Sequence, residues 1–201
     1  MQGGFFMTTA FVLGNGRSRM PVPLERLAAW GTIYGCNALY RDFMPSVLVS
    51  TDPPISTRIQ EEGVSQRVRH YTRRPLPNCR SQRIPQDYFG FSSGPAAVGI
   101  ACDNGHTVIY MVGFDLGALP NNRFNNVYAD TEFYRKSASR PTFTGNWVKQ
   151  ICQITRKYPR HNFIRVMGEN TAEIQEFSRL PNLALLPIET FLDRINTGKG
   201  L

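Results

Sequence analysis

Five short segments carry glycines and polar side chains of the kind that contact nucleotides. They are Gly14-Asn15-Gly16-Arg17-Ser18, Cys36-Asn37, Ser50-Thr51-Asp52, Ser92-Ser93-Gly94 and Gly113-Phe114-Asp115. Glycines let a backbone approach a phosphate closely, a helix N-terminus offers unpaired N–H groups, and short polar side chains bind ribose, base or phosphate atoms. The segments predict a nucleotide site if the fold brings them together.

Two common nucleotide motifs are missing from these segments. The first segment is similar to a dinucleotide fingerprint, but it lacks the third glycine, and Asn37 stands about 20 residues on, where an acidic residue is expected. The chain also contains no GxxxxGK[ST] sequence. A nicotinamide cofactor is therefore disfavoured, and a P-loop enzyme is excluded.

Strand and helix signals alternate along the chain and place the segments at strand ends. Apolar, partly β-branched runs predict strands at 11–13, 32–36, 47–50, 108–112, 163–167 and 183–186, and helical spacing predicts helices near 24–30, 96–103, 147–157, 169–178 and 188–195. This order predicts a single α/β domain over 1–201, with Rossmann-like topology and a mostly parallel sheet that has helices on both faces. Ligands bind at the carboxyl ends of the strands in such sheets, so the segments should meet there.

Two stretches interrupt the alternation. Prolines and arginines over 75–91 predict a long loop, and the polar, asparagine-rich and aromatic stretch near 116–143 predicts a lid-like insertion. The insertion and its end contain the aromatic residues Tyr128, Phe133, Tyr134 and Phe143. These either wall an acceptor pocket or form a small core of the insertion itself.

The net charge of +8 is concentrated in two regions. Residues 58–83 hold seven arginines against Glu61 and Glu62, and residues 133–165 hold eight cations and no acid. Such regions suit nucleic acid, a phosphorylated small molecule or an acidic protein, or they are solvated surface. The run from Arg67 to Arg74 interleaves cations with Tyr71, which suits nucleic acid but equally fits a charged edge strand.

The remaining composition predicts a protein of the cytoplasm. The chain has 201 residues, 41% of them hydrophobic, and no apolar run of about 18 residues that would span a membrane. The first residues carry no signal-peptide pattern. Cysteines at 36, 79, 102 and 152 form no CxxC pair, which predicts reduced thiols and no zinc site. The oligomeric state is left open.

Four motifs resemble those of one superfamily, in order and rough spacing. They are Gly14 to Ser18, Cys36-Asn37, Ser92 to Gly94 and the sequence VIYMVGFD at 108–115. The superfamily contains the bacterial sialyltransferases that build lipooligosaccharide, the flagellin (motility-associated factor) glycosyltransferases and the archaeal 6-hydroxymethylpterin pyrophosphokinases. The resemblance covers roughly residues 10–130. The whole chain also resembles small proteins encoded in tailed-phage genomes.

The resemblance implies roles for particular residues. Its sialyltransferases bind a cytidine nucleotide sugar through positions that correspond to Asn15, Asn37, Ser93 and Gly94, and through a tyrosine on the phosphate that Tyr128 matches. The general-base histidine of the family would fall where this chain reads Thr144-Gly145-Asn146. The three histidines, at 70, 106 and 161, lie elsewhere in the pattern.

We therefore expect a nucleotide or nucleotide-sugar binding transferase that moves a glycosyl or phosphoryl group. The nucleotide-binding candidates are Gly14, Asn15, Gly16, Ser18, Asn37, Asp52, Ser92, Ser93, Gly94 and Tyr128, and the catalytic candidates are Asp115 and Asp130. Either aspartate would act as base, or as a ligand for Mg²⁺ if a pyrophosphate is transferred. The alternative is a non-catalytic phage-type protein, in the host cytoplasm or the virion, that keeps the fold and binds an anionic partner through its basic regions.

Overall fold

The computed structural model describes residues 8–199, so residues 1–7 and 200–201 lie outside the described residues. The prediction that the first residues form no signal peptide falls partly on residues 1–7. The core of the structure is one eight-stranded sheet. The strands are β1 (Thr9–Leu13), β2 (Thr32–Cys36), β3 (Val47–Ser50), β4 (Arg69–Thr72), β5 (Gln82–Arg83), β6 (Val108–Val112), β7 (Asn162–Met167) and β8 (Leu183–Pro187). All pair in parallel, in the order β5-β4-β3-β2-β1-β6-β7-β8. The predicted α/β class with Rossmann-like topology is confirmed.

Helices cover both faces of the sheet, as predicted. They are α1 (Leu24–Leu27), α2 (Pro53–Glu61), α3 (Ser93–Asp103), α4 (Gly145–Lys157) and α5 (Ile188–Thr197). The apolar sides of α3 and α4 share a core with Val12 and Val49, whereas α1 and α5 pack with Phe11 on the opposite face. Helix α2 packs on Leu48, which the strand register places on the same face as Phe11. Among residues 8–199, no helix is both long and apolar enough to cross a membrane.

The structure differs from the predicted elements in three places. Helix α2 was not predicted; it begins at Pro53-Pro54, and proline is well tolerated in the first turn of a helix. The helix predicted over 169–178 is wrong. The backbone of Ala172 instead hydrogen-bonds to the Asp115 carbonyl (2.8 Å), and Asn170 adopts a left-handed φ of 63°. Strand β5 forms inside the predicted loop 75–91 and pairs outside β4.

The segment 116–143 has no strand or α-helix and contains one short 3₁₀ turn, Pro120–Asn122. Several contacts fasten it to the body of the sheet. The Val127 N–H donates to the Asn15 carbonyl (2.8 Å), and Arg58 pairs with Glu132 (2.9 Å). The segment thus covers the carboxyl ends of the central strands. Its action as a lid stays a prediction.

Candidate functional site

A cavity of about 380 Å³ opens at the carboxyl ends of β1 and β6. The strand order reverses between these two strands, since the chain runs from β1 outward to β5 on one side and from β6 outward to β8 on the other. In open parallel sheets, this reversal creates the crevice in which ligands bind. Nine of the twelve site residues predicted from the sequence line the cavity: Gly14, Asn15, Gly16, Asn37, Asp52, Ser92, Ser93, Gly94 and Asp115.

The glycine turn after β1 allows two loops to pack closely. A Cβ atom at Gly14 would lie 2.5 Å from the Gly113 carbonyl oxygen, and one at Gly16 would overlap the Asp115 carboxyl group. The N–H groups of Gly14 and Gly16 donate to the carbonyls of Val112 and Gly113, at 2.8 and 2.9 Å. These two N–H groups are therefore used to join the turns and are not free for a phosphate.

Asp115 follows β6 and is held at the cavity wall by three donors. Its carboxylate accepts hydrogen bonds from the Ser18 N–H (3.1 Å), the Ser18 hydroxyl and the Asn125 amide (2.9 Å). Burial raises the pKa of the Asp115 carboxyl group, while the bonds from Ser18 and Asn125 act in the opposite direction. The result is a carboxylate of fixed orientation with a greater proton affinity than an exposed aspartate.

Arg165 lies beneath the Asp115 loop and is completely buried. Its guanidinium donates to the carbonyls of Phe114 (2.9 Å), Asp115 (2.9 Å) and Ala172 (2.8 Å). Burial lowers the pKa of Arg165 to about 10, and the nearby Asp115 charge opposes that shift. This residue belongs to the basic region 133–165, which we expected either to bind an anionic partner or to be solvated surface. However, strand alternation in β7 places it on the same face as the buried Phe163. This alternation can be read from the sequence, and it indicates that Arg165 is buried.

Asn37 connects the ends of β2, β3 and α3. Its amide donates to the Asp52 carboxylate (3.1 Å), and its carbonyl oxygen accepts from the Ser93 hydroxyl (2.8 Å). The Ser93 oxygen in turn accepts from the Thr51 N–H (2.9 Å). Asn37 adopts a left-handed φ of 49°, which asparagine tolerates better than most residues. Three predicted segments therefore meet in one hydrogen-bonded group.

Asn15 presents a buried polar atom that has no partner among the described residues. Its Oδ1 is inaccessible and unbonded, while its Nδ2 donates to the Tyr134 hydroxyl (3.3 Å). The Ala38 N–H also donates to that hydroxyl (3.3 Å). An unpaired buried acceptor costs about 1–3 kcal/mol. A ligand that supplies a donor to Asn15 would recover part of this energy.

The N-terminus of α3 offers N–H groups to the cavity. The N–H groups of Ser93 and Gly94 make no hydrogen bond to another described group, whereas that of Ser92 donates to Gln150 (3.0 Å). The Trp147 indole N–H donates to the Ser92 hydroxyl (2.8 Å) and so fixes this turn. Two adjacent unpaired N–H groups at the positive end of an α-helix suit an anion.

Three predicted residues do not line the cavity. Ser18 is buried behind Asp115. Tyr128 is buried within the insertion, where its hydroxyl donates to Asp42 (2.6 Å) and accepts from Arg19 (2.7 Å). Asp130 is exposed and accepts from the Ser137 N–H (3.1 Å), which lowers the pKa of its carboxyl group. The geometry therefore gives these three residues no direct contact with a ligand in the cavity.

The insertion and α4 supply cavity residues that sequence reasoning did not assign to nucleotide binding. Phe133 and Tyr134 line the cavity, as the pocket-wall interpretation of the insertion predicted. Phe143 does not line it and is 77% exposed. Trp147 and Arg135 also line it. No local pattern distinguishes these residues, because their position depends on how the insertion lies on the sheet.

Comparisons of the chain with models of known protein families, with curated proteins and with solved structures found no match. The resemblance to the sialyltransferase superfamily therefore stays a prediction from the motifs.

Proposed function

We propose that this protein binds a nucleotide or nucleotide-sugar in the cavity and transfers its glycosyl or phosphoryl group. One observation carries the proposal. Segments separated by up to about 100 residues, from the Gly14 turn to Asp115, converge on one cavity at the reversal of strand order. The order of motifs that resembles the sialyltransferase superfamily supports the same conclusion.

The phosphate end of the ligand would lie against α3. The unpaired N–H groups of Ser93 and Gly94 supply donors, and Arg135 is the only arginine or lysine among the described lining residues. A guanidinium binds phosphate oxygens with charge-assisted hydrogen bonds. Helix α3 is 11 residues long, so its dipole adds to the attraction.

The nucleoside end would lie between the polar side chains and the aromatic wall. If the Asn15 side chain turns so that its buried Oδ1 becomes accessible, this atom would accept from a base amine or a ribose hydroxyl, and Asp52 would accept from a ribose hydroxyl. The rings of Tyr134 and Trp147 provide flat apolar surface beside these groups. A few oriented polar groups in a partly aromatic cavity are typical of small-molecule sites.

Asp115 is the residue we assign as general base. It would take the proton of an acceptor hydroxyl as that oxygen bonds to the transferred carbon or phosphorus, and the bond to the nucleotide leaving group breaks. The pKa raised by burial makes this carboxylate a better proton acceptor near neutral pH than an exposed one. Asp130 is too exposed and too remote from the lining for this role.

Mg²⁺ is compatible with this arrangement. Asp52 and Asp115 contribute carboxylates to the lining, although no group of three or more metal-ligating side chains occurs in residues 8–199. Mg²⁺ is commonly bound through one or two carboxylates together with substrate phosphates. One of these two carboxylates would hold the ion when a nucleotide supplies the remaining oxygens, and if that carboxylate is Asp115 it would not act as the base.

The alternative is a non-catalytic protein, in a phage-infected host or a virion, that keeps the fold and binds an anionic partner through its basic regions. Two observations favour it. No histidine occurs among the described residues that line the cavity. The three hydrogen bonds to Asp115 also restrict the carboxylate.

A thermal-shift panel tests both candidates. The ligands are CMP, CDP, CTP, ATP, GTP, UDP and nucleotide-sugars, with and without Mg²⁺. A ligand at about 100 times its Kd stabilises the folded state by about 3 kcal/mol, which raises the Tm by roughly 5–10 °C for a chain of this size. Asn37→Ala should reduce the shift by about a third or more, whereas Asn162→Ala, at the exposed start of β7, should keep it. A panel without any shift contradicts nucleotide binding and supports the non-catalytic candidate. A nucleotide shift that Asn37→Ala reduces supports the transferase candidate.

A further inference from the structure

The edge of the sheet formed by β4 and β5 carries a surface of unpaired arginines. This arginine edge consists of Arg67, Arg69, Arg74, Arg80 and Arg83, all of them exposed. None forms an ion pair with another described residue. Residues 63–86 contain no aspartate or glutamate. The positive charge of this edge is therefore not neutralised within the described chain.

The strand register places several of these charges side by side. Tyr71 is paired with Gln82 and Thr72 with Arg83. Continued by one residue, the same parallel register sets His70 beside Ser81, and the His70 Nδ1 lies 2.8 Å from the Ser81 hydroxyl. Continued by one more residue, it sets Arg69 beside Arg80. Strands rise by about 3.3 Å per residue, so Arg83 lies roughly 10 Å further along the edge than Arg80. The charges are therefore spread along the edge, with Arg69 and Arg80 on one face of the sheet and Arg83 on the other.

Three properties of the arginine edge favour a phosphate backbone as its partner. All seven cations of residues 58–83 are arginine and none is lysine, and the planar guanidinium matches phosphate oxygens in pairs. The rings of His70 and Tyr71 are buried, so they cannot stack on bases as the sequence pattern suggested. Phe89 is the one exposed large apolar side chain near this edge among the described residues, where its carbonyl accepts from Arg73 (2.8 Å), so the edge offers little of the apolar surface that protein interfaces use.

We propose that the arginine edge binds double-stranded nucleic acid through its phosphate backbone, without reading the base sequence. The inference does not depend on the proposed transferase function, because the edge is separate from the residues that line the cavity. If all five arginines contact phosphates, affinity should fall with the 4.5th power of salt concentration, which is about 500-fold between 50 and 200 mM.

The experiment is a fluorescence-anisotropy titration of the full chain with a labelled 20-base-pair DNA duplex at several salt concentrations. The test variant is Arg69→Gln/Arg80→Gln. The matched control is Lys149→Gln/Arg156→Gln, which removes the same charge from exposed positions on α4. We expect the test variant to lose about 1.8 units of the salt slope, so that its affinity at 50 mM salt falls by at least tenfold. The control should bind within about twofold of the wild type.

Four results would overturn the proposal. The first is absence of duplex binding at 50 mM salt, and the second is an equal loss of duplex affinity in both double variants. The third is a labelled single strand of the same length that binds more tightly than the duplex. The fourth is a polyglutamate peptide of equal charge that binds as tightly as the duplex. The third result would indicate recognition of bases, and the fourth would indicate an acidic protein partner. Circular dichroism of both variants checks that the fold is retained.

Discussion

Replacing Arg165 by methionine tests whether this residue holds the loop that carries Asp115. The side chain is completely buried, donates to three backbone carbonyls and lies with its guanidinium carbon 5.4 Å from the centre of the Phe177 ring. Methionine fills much of the same volume but donates no hydrogen bond. A buried carbonyl that loses a partner costs about 1–3 kcal/mol, and part of that cost is recovered by local rearrangement.

We therefore expect Arg165→Met to lower the free energy of unfolding by about 3–5 kcal/mol, a large share of the 5–15 kcal/mol typical of a domain. Urea denaturation measures this change. The control Arg156→Met, at an exposed position of α4, should stay within about 0.5 kcal/mol of the wild type. Arg165→Lys should recover only part of the loss, since an ammonium cannot reach three carbonyls at once. A loss below about 1 kcal/mol in Arg165→Met would refute the positioning role.

Further predictions address the site and the core. Asn37→Ala should weaken nucleotide binding by about 1–3 kcal/mol in isothermal calorimetry, because a hydrogen-bonded group at the cavity is lost. Arg135→Ala should weaken the binding of a nucleotide more than that of its nucleoside, and equal losses would contradict a phosphate contact. Gly113→Ala should destabilise the fold by at least about 1–2 kcal/mol in urea, because φ is 73° and the new Cβ would lie 2.9 Å from the Gly14 oxygen. Burial lowers the pKa of His70 to about 4 from 6.5. The unfolded chain therefore binds a proton that the folded chain does not as the pH falls between these values, and the free energy of unfolding should fall by about 3 kcal/mol over that range. His70→Gln should remove this pH dependence of the urea midpoint.

The central strands and the location of the cavity were predictable from the sequence for a physical reason. Buried parallel strands are continuous apolar runs, so Val47–Ser50 and Val108–Val112 have the same bounds in sequence and structure. Once the sheet is parallel, the residues after its strands must lie at one edge. This rule places Asn37 and Asp115 at the same cavity although 77 residues separate them.

The residues that sequence reasoning misplaced depend on contacts that have no local pattern. Tyr128 was assigned to phosphate binding only from the resemblance to the superfamily, and the insertion packs so that its hydroxyl contacts Arg19 and Asp42 instead of the cavity. In the segment predicted as a helix over 169–178, the Ala172 carbonyl accepts from Arg165. In both places a buried arginine makes the contact. Strand alternation in β7 indicates that Arg165 is buried, but no local sequence pattern indicates which groups either arginine binds.

Two residues that rarely adopt a left-handed backbone do so at the cavity. Leu116 and Phe133 line it with φ angles of 52° and 71°, and the other described left-handed residues are glycine, asparagine or aspartate. For leucine and phenylalanine this conformation costs about 1–2 kcal/mol each. The unpaired Asn15 Oδ1 adds a further cost at the same cavity. A ligand that donates a hydrogen bond to Asn15 and packs against these loops would offset part of these costs. Backbone strain of this kind clusters at ligand-binding sites, so its position here supports the cavity as a binding site.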